Sequence, residues 1–290
     1  MKRIVSIALF GDGDKYAQYF YAFVLAHLNL FPLRDGWTLR VYMDDTAANG
    51  AVGRGARRLE HEGLIEYRYM GPSRNASGKL LLTKCMLWRC APVFEEDVEY
   101  VFCRDLDAAP MPRDRAVCEQ FIASKAALHT VHDNLAHAGV MGGLCGFYAP
   151  EFRKLTGLRS LEDLYAFGNK RDDDWALHGT DQMVLNKMTQ VFRLMTLLEH
   201  RFNGWTEGRP SAHRREASAY ECVGYSTPMV DSGRWDQKIY APLLCATADR
   251  LANHLGAAGY DHAAARKFWE MHGDEALAKV VRDCEEKSRA

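Results

Sequence analysis

An apolar, strand-like run over residues 98–103 leads directly into the segment Arg104-Asp105-Leu106-Asp107. On an extended segment, side chains two positions apart share a face, so Asp105 and Asp107 are expected to reach one cation together. Carboxylate oxygens suit Mg²⁺ or Mn²⁺. The segment therefore predicts a divalent-cation site at the end of a buried strand. The alternative is that the acidic pair only turns the chain.

The first 70 residues alternate between short apolar runs and helical patterns. Strands are predicted over 3–10, 39–43 and 65–70, with helices over 16–31 and 52–62. This alternation predicts an α/β fold with a largely parallel central sheet flanked by helices.

The next segments continue the same pattern as far as residue 200. A helix is predicted over 79–90 with Pro92 ending it, and the others are a strand over 98–103, a helix over 113–124, a strand over 127–131, a glycine-broken strand over 140–148 and a helix over 180–189. Beyond residue 200 the pattern weakens, which predicts an irregular C-terminal third.

The charge of the chain is balanced, with 37 basic and 38 acidic residues among 290. Such a balance creates no overall field that attracts nucleic acid or an anionic membrane. The sequence shows no signal-peptide cleavage site and no membrane-length apolar stretch, so a cytoplasmic protein with no membrane span is expected. The eight cysteines include no Cys-X-X-Cys pair, which favours reduced, buried thiols over a structural zinc site.

Six short motifs follow one another between residues 84 and 182. They are Lys84-X3-Trp88-Arg89-X2-Pro92, Arg104-Asp105-Leu106-Asp107, Ala116-Val117-X6-Ser124, His129-X3-Asp133-X3-His137, Gly142-Gly143-X2-Gly146 and Gly179-Thr180-Asp181-Gln182. In order and spacing this set resembles GT-A glycosyltransferase-like proteins. The family pattern has a Trp at the position of Cys145, where this chain departs from it.

The resemblance implies a nucleoside-diphosphate sugar bound across the N-terminal sheet, with Mn²⁺ or Mg²⁺ held on Asp105 and Asp107. The resemblance extends to retaining members of the family, in which an Asp-Gln pair at a helix start lies beside the sugar. Asp181 and Gln182 match that pair and are the predicted catalytic residues. A histidine near the C-terminus is the third metal ligand in these enzymes, and His254 matches it loosely.

Further donor-binding residues are expected around the ends of the strands. The resemblance implies that the nucleotide base lies against the segment after the first strand, which includes Phe10, Gly11, Asp12 and Tyr16. Tyr16 can stack on the base and an Asp can accept its N–H. The alternative is that this segment is only a turn.

The diphosphate is expected to contact basic side chains, namely Lys84, Arg89 and Arg104. Alternatively, Arg89 and Arg104 pair with acidic residues and hold the Asp-X-Asp segment in place.

On the sugar side, Asp133 can accept sugar hydroxyls or act as a base, and His137 can hydrogen-bond the donor or the acceptor. Gly142 and Gly143 permit a close approach of backbone to ligand, although a bulge without a functional role explains two glycines as well.

The resulting hypothesis is transfer of a sugar from a UDP- or GDP-sugar to a glycan or another hydroxyl acceptor, with retention of configuration favoured. An inverting enzyme would use Asp133 or Asp181 as general base. Nucleotidyl transfer to a sugar phosphate and a non-catalytic GT-A-like binding module are the alternatives. A nucleic-acid acceptor is disfavoured by the balanced charge. We predict one domain over 1–290, with a nucleotide-binding half over 1–110, a sugar and acceptor half over 111–260 and a C-terminal helix over 261–290.

Overall fold

The computed structural model describes residues 1–11, 14–17, 19–108, 110, 112–132, 139–200 and 209–210. The helix predicted over 261–290 and nearly all of the irregular C-terminal third lie outside these residues. The predicted division of the chain into a nucleotide-binding half and a sugar half stays a prediction.

The strands of the described chain form a single sheet in the order β3-β2-β1-β4-β6-β5-β7-β8. They are β1 (Lys2–Leu9), β2 (Trp37–Met43), β3 (Glu66–Tyr69), β4 (Val98–Arg104), β5 (Leu128–His132), β6 (Leu144–Tyr148), β7 (Thr196–His200) and β8 (Arg209–Pro210). Within the described residues, β6 alone runs antiparallel to both its neighbours, and the other pairings are parallel. The predicted largely parallel sheet is confirmed.

The connections between the strands are mostly helical. The α-helices are α1 (Asp14–Ala17), α2 (Phe20–Leu30), α3 (Asp45–Asn49), α4 (Ala51–His61), α5 (Leu82–Met86), α6 (Pro112–Ser124), α7 (Ala149–Thr156), α8 (Leu161–Gly168), α9 (Asp172–Trp175) and α10 (Thr180–Val191). Two 3₁₀ helices span Leu33–Asp35 and Leu87–Phe94. Among the described residues, no helix has the length and apolar character that a membrane crossing requires.

Hydrophobic clusters cover both faces of the sheet, because successive residues of a strand point to opposite faces. On β1, Val5 and Ile7 pack into the cluster that includes residues of α2, α4 and α6. Ile4 packs on the other face, with residues of the 3₁₀ helix Leu87–Phe94 and of α7, α8 and α10. The α/β fold with helices on either side of the sheet is therefore as predicted.

Cysteine side chains contribute to these clusters as free thiols. The described ones are all buried: Cys85, Cys90, Cys103, Cys118 and Cys145. This agrees with the predicted reduced state, and the other three cysteines of the sequence lie outside the described residues.

The helix predicted over 79–90 is wrong at both ends. Its first residues belong to a hairpin, in which Arg74 pairs with Leu80 and the Leu81 N–H donates to the Ser73 carbonyl. The α-helical part is only α5, and from Leu87 the chain tightens into a 3₁₀ helix that contains Pro92 instead of ending before it.

The strand order reverses direction beside β1. From β1 the sheet extends through β2 and β3 on one side and through β4 on the other. In open α/β sheets, ligands bind at such a switch point, outside the carboxyl ends of the strands. The residues that follow β1 and β4 therefore lie where a ligand is expected.

Candidate functional site

The Asp105 carboxylate lies at the carboxyl end of β4, and half of its side chain is exposed. The strand ends at Arg104, and residues 105–108 form a turn in which the Ala108 N–H donates to the Asp105 carbonyl. The extended segment that we predicted here is therefore wrong, and alternation along a strand no longer places Asp105 and Asp107 on one face. The half-buried Asp107 lies within this turn, and buried Leu106 fixes the turn against the core.

Arg89 joins Asp105 to a second carboxylate, that of Asp181. Its guanidinium forms an ion pair with Asp105, and Nη2 lies 3.8 Å from Oδ2 of Asp181. Nε donates to the Met86 carbonyl and Nη1 to the Arg104 carbonyl. Burial lowers the pKa of Arg89, but Asp105, followed by Cys103 and Asp181, raises it above the ordinary value. Of our two predictions for Arg89, pairing with acidic residues is the one observed.

Asp181 lies in the first turn of α10, where negative charge interacts favourably with the helix dipole. Only 4% of its side chain is exposed. Burial raises the pKa of Asp181 above its ordinary value, and Arg89 opposes that shift. Gln182 follows it, half-buried, and its carbonyl accepts a hydrogen bond from the Asn186 side chain.

Gly142 and Gly143 lie directly against these two carboxylates. They occupy a turn in which the Leu144 N–H donates to the Met141 carbonyl, so β6 begins at Leu144 and not at residue 140 as predicted. Because Arg104 of β4 pairs with Leu144 of β6, the turn faces the Asp105 turn across the ends of the two strands. A Cβ added at Gly142 would overlap Oδ2 of Asp181, and one at Gly143 would overlap the carboxylate of Asp105.

We predict that Gly143→Ala displaces the Asp105 carboxylate. Because the overlapped atoms are the end of a half-exposed side chain that can move, the free energy of unfolding should fall by less than about 1 kcal/mol. Nucleotide binding in the presence of Mn²⁺ should weaken about tenfold, which corresponds to about 1.4 kcal/mol, because the carboxylate that would hold the cation is displaced. Chemical denaturation and calorimetric titration measure the two effects.

Gly50→Ala is the matched control for Gly143→Ala. Its added Cβ would meet the Ala47 carbonyl at 3.4 Å, which is an ordinary contact. This variant should bind the nucleotide as the unchanged protein does. Full metal-dependent binding by Gly143→Ala would contradict a role for the position of Asp105.

Arg104 points away from the site that the sequence predicted for it. Its guanidinium is 2% exposed, and Nε and Nη2 donate to Asp114 of α6 at 2.7–3.1 Å. Nη1 donates to the carbonyls of Cys103 and Cys145. Burial lowers the pKa of Arg104, and Asp114 more than offsets that by raising it. Arg104 therefore holds the end of β4 to α6 and β6, which is the alternative left open above, and donor contact is excluded in this arrangement.

Asp44 is a buried acid at the carboxyl end of β2 that sequence reasoning missed. One oxygen, Oδ1, caps α3 by accepting the Ala47 N–H at 2.9 Å. The other, Oδ2, accepts the Gly11 N–H at 2.8 Å and the Ser73 hydroxyl at 2.6 Å. Asp44 thus ties together the chain segments that follow β1, β2 and β3. An Asp at a strand end just before a helical pattern is the signal that could have identified it.

The remaining described candidates are Phe10, Gly11, Tyr16 and Lys84. Gly11 has a φ of +75°, which favours glycine, and the half-buried Phe10 packs edge-to-face on Trp88. Tyr16 is 40% exposed. The Lys84 ammonium lies 4.9 Å from the ring centroid of Tyr165 on α8. The structure thus gives Lys84 an aromatic contact, and its contact with a diphosphate stays a prediction.

Four predicted site residues lie outside the described residues: Asp12, Asp133, His137 and His254. Among the described residues, no cluster of three or more His, Cys, Asp or Glu side chains could hold a metal ion. A half-exposed Asp105 still fits a cation of the Mg²⁺ type, and Asp107 of the same turn is the second candidate ligand. Such a cation is commonly bound through one or two carboxylates, with substrate phosphates completing its ligands.

Comparison with known proteins gives structural likeness only. No family model matches this chain, and no curated protein matches its sequence. A mannosyltransferase from Pyrobaculum calidifontis in complex with GDP-Man and Mn²⁺ has a TM-score of 0.43 at 12% identity, over 99% of this chain and 81% of that one. S. aureus TarS 1-349 in complex with UDP has a TM-score of 0.42 at 9% identity, over 97% and 71%.

A third structure shows a similar level of likeness. The 4-diphosphocytidyl-2C-methyl-D-erythritol synthase from Anaerococcus prevotii has a TM-score of 0.42 at 8% identity, over 85% of this chain and 96% of that one. Likenesses at this level decide nothing about the activity of this chain, which has to be argued from its own residues.

Proposed function

We propose that this chain is a divalent-metal-dependent glycosyltransferase that moves a sugar from a UDP- or GDP-sugar to a hydroxyl acceptor, with retention of configuration. One observation carries the proposal. Two carboxylates, the half-exposed Asp105 and the buried Asp181, converge on Gly142 and Gly143 at the carboxyl end of β4, the strand next to β1, with Arg89 between them.

The missing side chains of Gly142 and Gly143 let the two carboxylates lie directly against the backbone, because a Cβ at either position would overlap one of them. Asp105 and Asp107 would hold Mn²⁺ or Mg²⁺, which supplies positive charge to the departing diphosphate. Arg89 is the buried cation nearest to that position and can donate to diphosphate oxygens in the geometry that arginine offers.

Asp181 is the group that supports sugar chemistry. A buried carboxylate beside the anomeric centre stabilises positive charge that develops on the sugar as the bond from the anomeric carbon to the diphosphate oxygen breaks. The acceptor oxygen forms the new bond to that carbon. With retention of configuration, the acceptor approaches the same face of the sugar that the diphosphate leaves. A diphosphate oxygen therefore takes the proton of the acceptor hydroxyl. Gln182, Asp133 and His137 would orient the sugar.

A thermal-shift panel tests this proposal first. UDP, GDP and their sugars are added with and without Mn²⁺, and a ligand that binds only the folded protein raises the melting temperature. A ligand at about 100 times its Kd should add about 2.7 kcal/mol to stability. We expect the largest shift for one nucleotide sugar together with Mn²⁺. No shift with any nucleotide in the presence of Mn²⁺ would contradict the proposal.

Product analysis separates the reaction classes. Release of nucleoside diphosphate is expected for glycosyl transfer, whereas release of pyrophosphate would identify nucleotidyl transfer. Binding without turnover against any acceptor would identify a binding module. NMR of the first-formed product reports the anomer, and an inverted anomer would rule out retention and direct attention to Asp133 or Asp181 as general base.

A further inference from the structure

Arg89 is the most unusual charged group of the site, because it is 5% exposed and yet has no fixed bidentate partner. One of its amino groups pairs with Asp105, and the other lies 3.8 Å from Asp181, beyond direct hydrogen-bond distance. Its other donors bind backbone carbonyls of residues 86 and 104. Arg104, by contrast, is held by both oxygens of one acid. Arg89 thus has an alternative carboxylate close by.

The same Asp105 carboxylate is the expected ligand of the divalent cation. A guanidinium and a divalent cation on one carboxylate repel each other, because two positive charges a few ångströms apart near a protein surface interact unfavourably. Among the described residues, no group of three or more potential ligands compensates for that repulsion. A divalent cation without a diphosphate is therefore expected to bind weakly at Asp105.

A diphosphate changes this balance. Its oxygens supply the missing cation ligands, and they also offer the guanidinium a partner in place of Asp105. We propose that Arg89 makes divalent-cation binding at Asp105 conditional on the diphosphate of the donor. In the free protein Arg89 forms an ion pair with Asp105. In the complex its guanidinium binds the diphosphate instead, and the Asp181 carboxylate holds the guanidinium close to the site. This inference rests on the proposed function and deepens it.

Mn²⁺ binding without turnover provides the test. Electron paramagnetic resonance measures free Mn²⁺ during titration of the protein, first alone and then with UDP or GDP present. For the unchanged protein we expect weak binding of Mn²⁺ alone and much tighter binding with the nucleotide. For Arg89→Gln we expect Mn²⁺ alone to bind about tenfold more tightly, the factor that corresponds to about 1.4 kcal/mol.

The coupling between the two ligands should fall in the same variant. Because coupling is reciprocal, Mn²⁺ should improve nucleotide affinity less in Arg89→Gln than in the unchanged protein. Arg89→Lys keeps the charge and should leave the affinity for Mn²⁺ alone within about threefold of the original, since the repulsion depends on charge. A merely structural role of Arg89 would not separate these two variants.

Arg40→Gln is the matched control. Arg40 is equally buried and also pairs with two carboxylates, those of Glu66 and Glu95. Glu66 begins β3 and Glu95 precedes β4, so this cluster lies towards the amino ends of the strands. Arg40→Gln should lower stability without changing the affinity for Mn²⁺.

The outcomes distinguish this inference from the function on which it rests. If the unchanged protein binds Mn²⁺ with the nucleotide but Arg89→Gln binds Mn²⁺ alone no more tightly, only the inference fails. If no form of the protein binds Mn²⁺ under either condition, the proposed function fails as well. Should Arg89→Gln not fold, Arg89→Met fills the same space and is expected to behave alike. Binding of Mn²⁺ to the unchanged protein that is equally tight with and without nucleotide overturns the inference without any variant.

Discussion

Asp105→Asn is expected to lower the rate of sugar transfer by about a thousandfold, which corresponds to about 4 kcal/mol of transition-state stabilisation. The substitution keeps the shape of the side chain and removes the charge that a divalent cation requires. Because half of the side chain is exposed, the variant should fold, with Arg89 left to pair with Asp181. Single-turnover transfer from the donor sugar found by thermal shift measures the effect.

Asp35→Asn is the matched control for this experiment. The Asp35 side chain is exposed to a similar degree, 45%, and its Oδ2 lies 3.8 Å from the Arg115 guanidinium. It ends the 3₁₀ helix before β2, at the amino ends of the strands. Asp35→Asn should transfer sugar at the original rate. If Asp105→Asn did so too, the Asp105 turn would not be the cation site.

Asp114→Asn is expected to have the largest effect on stability. It leaves the Arg104 guanidinium buried without its carboxylate, and breaking a buried ion pair in this way costs about 3–5 kcal/mol. The loss should appear in the free energy of unfolding measured with denaturant. Since Arg104 also binds the carbonyl of Cys145, the ends of β4 and β6 should loosen together, and metal-dependent nucleotide binding should weaken in the variant.

Two further variants test whether the buried, unpaired charge of Arg104 causes this loss of stability. Asp97→Asn breaks an ion pair with Lys2 in which both side chains are largely exposed, and it should cost less than about 1 kcal/mol. Replacing both partners, Arg104→Met with Asp114→Leu, removes the unpaired charge and should recover most of the lost stability. A double variant no more stable than Asp114→Asn would show that the pair acts through its shape and not its charge.

Much of the fold follows from local patterns in the sequence. The apolar β-branched and aromatic run that forms β4 is typical of a strand buried on both faces of a sheet covered by helices, and the alternation of runs before it predicts β1, β2 and β3. The order of β5, β6 and β7 in the sheet does not follow from local patterns. The antiparallel course of β6 depends on its pairing with Tyr100 and Arg104, 40 and more positions away in the chain, which no local pattern encodes.

The candidate site divides in the same way. Asp105 and Asp181 could be named from the sequence, since carboxylates at a strand end and at a helix start are local features. The sequence could not predict whether a charged side chain contacts a ligand or another side chain. That depends on which residues the fold brings within a few ångströms of each other. Arg89 and Arg104 have the same chemistry and lie near the same motif, yet one reaches Asp105 and Asp181 while the other is enclosed by Asp114.

The sequence alone thus determined the α/β class, the position of an acidic segment after the fourth strand and the presence of Asp181 at a helix start. Tertiary structure decided that Gly142 and Gly143 pack on those two acids and that Arg89 stands between them. The physical reason is range. Hydrophobic periodicity and turn chemistry act between neighbours in the chain, whereas ion pairs and close packing act between neighbours in space.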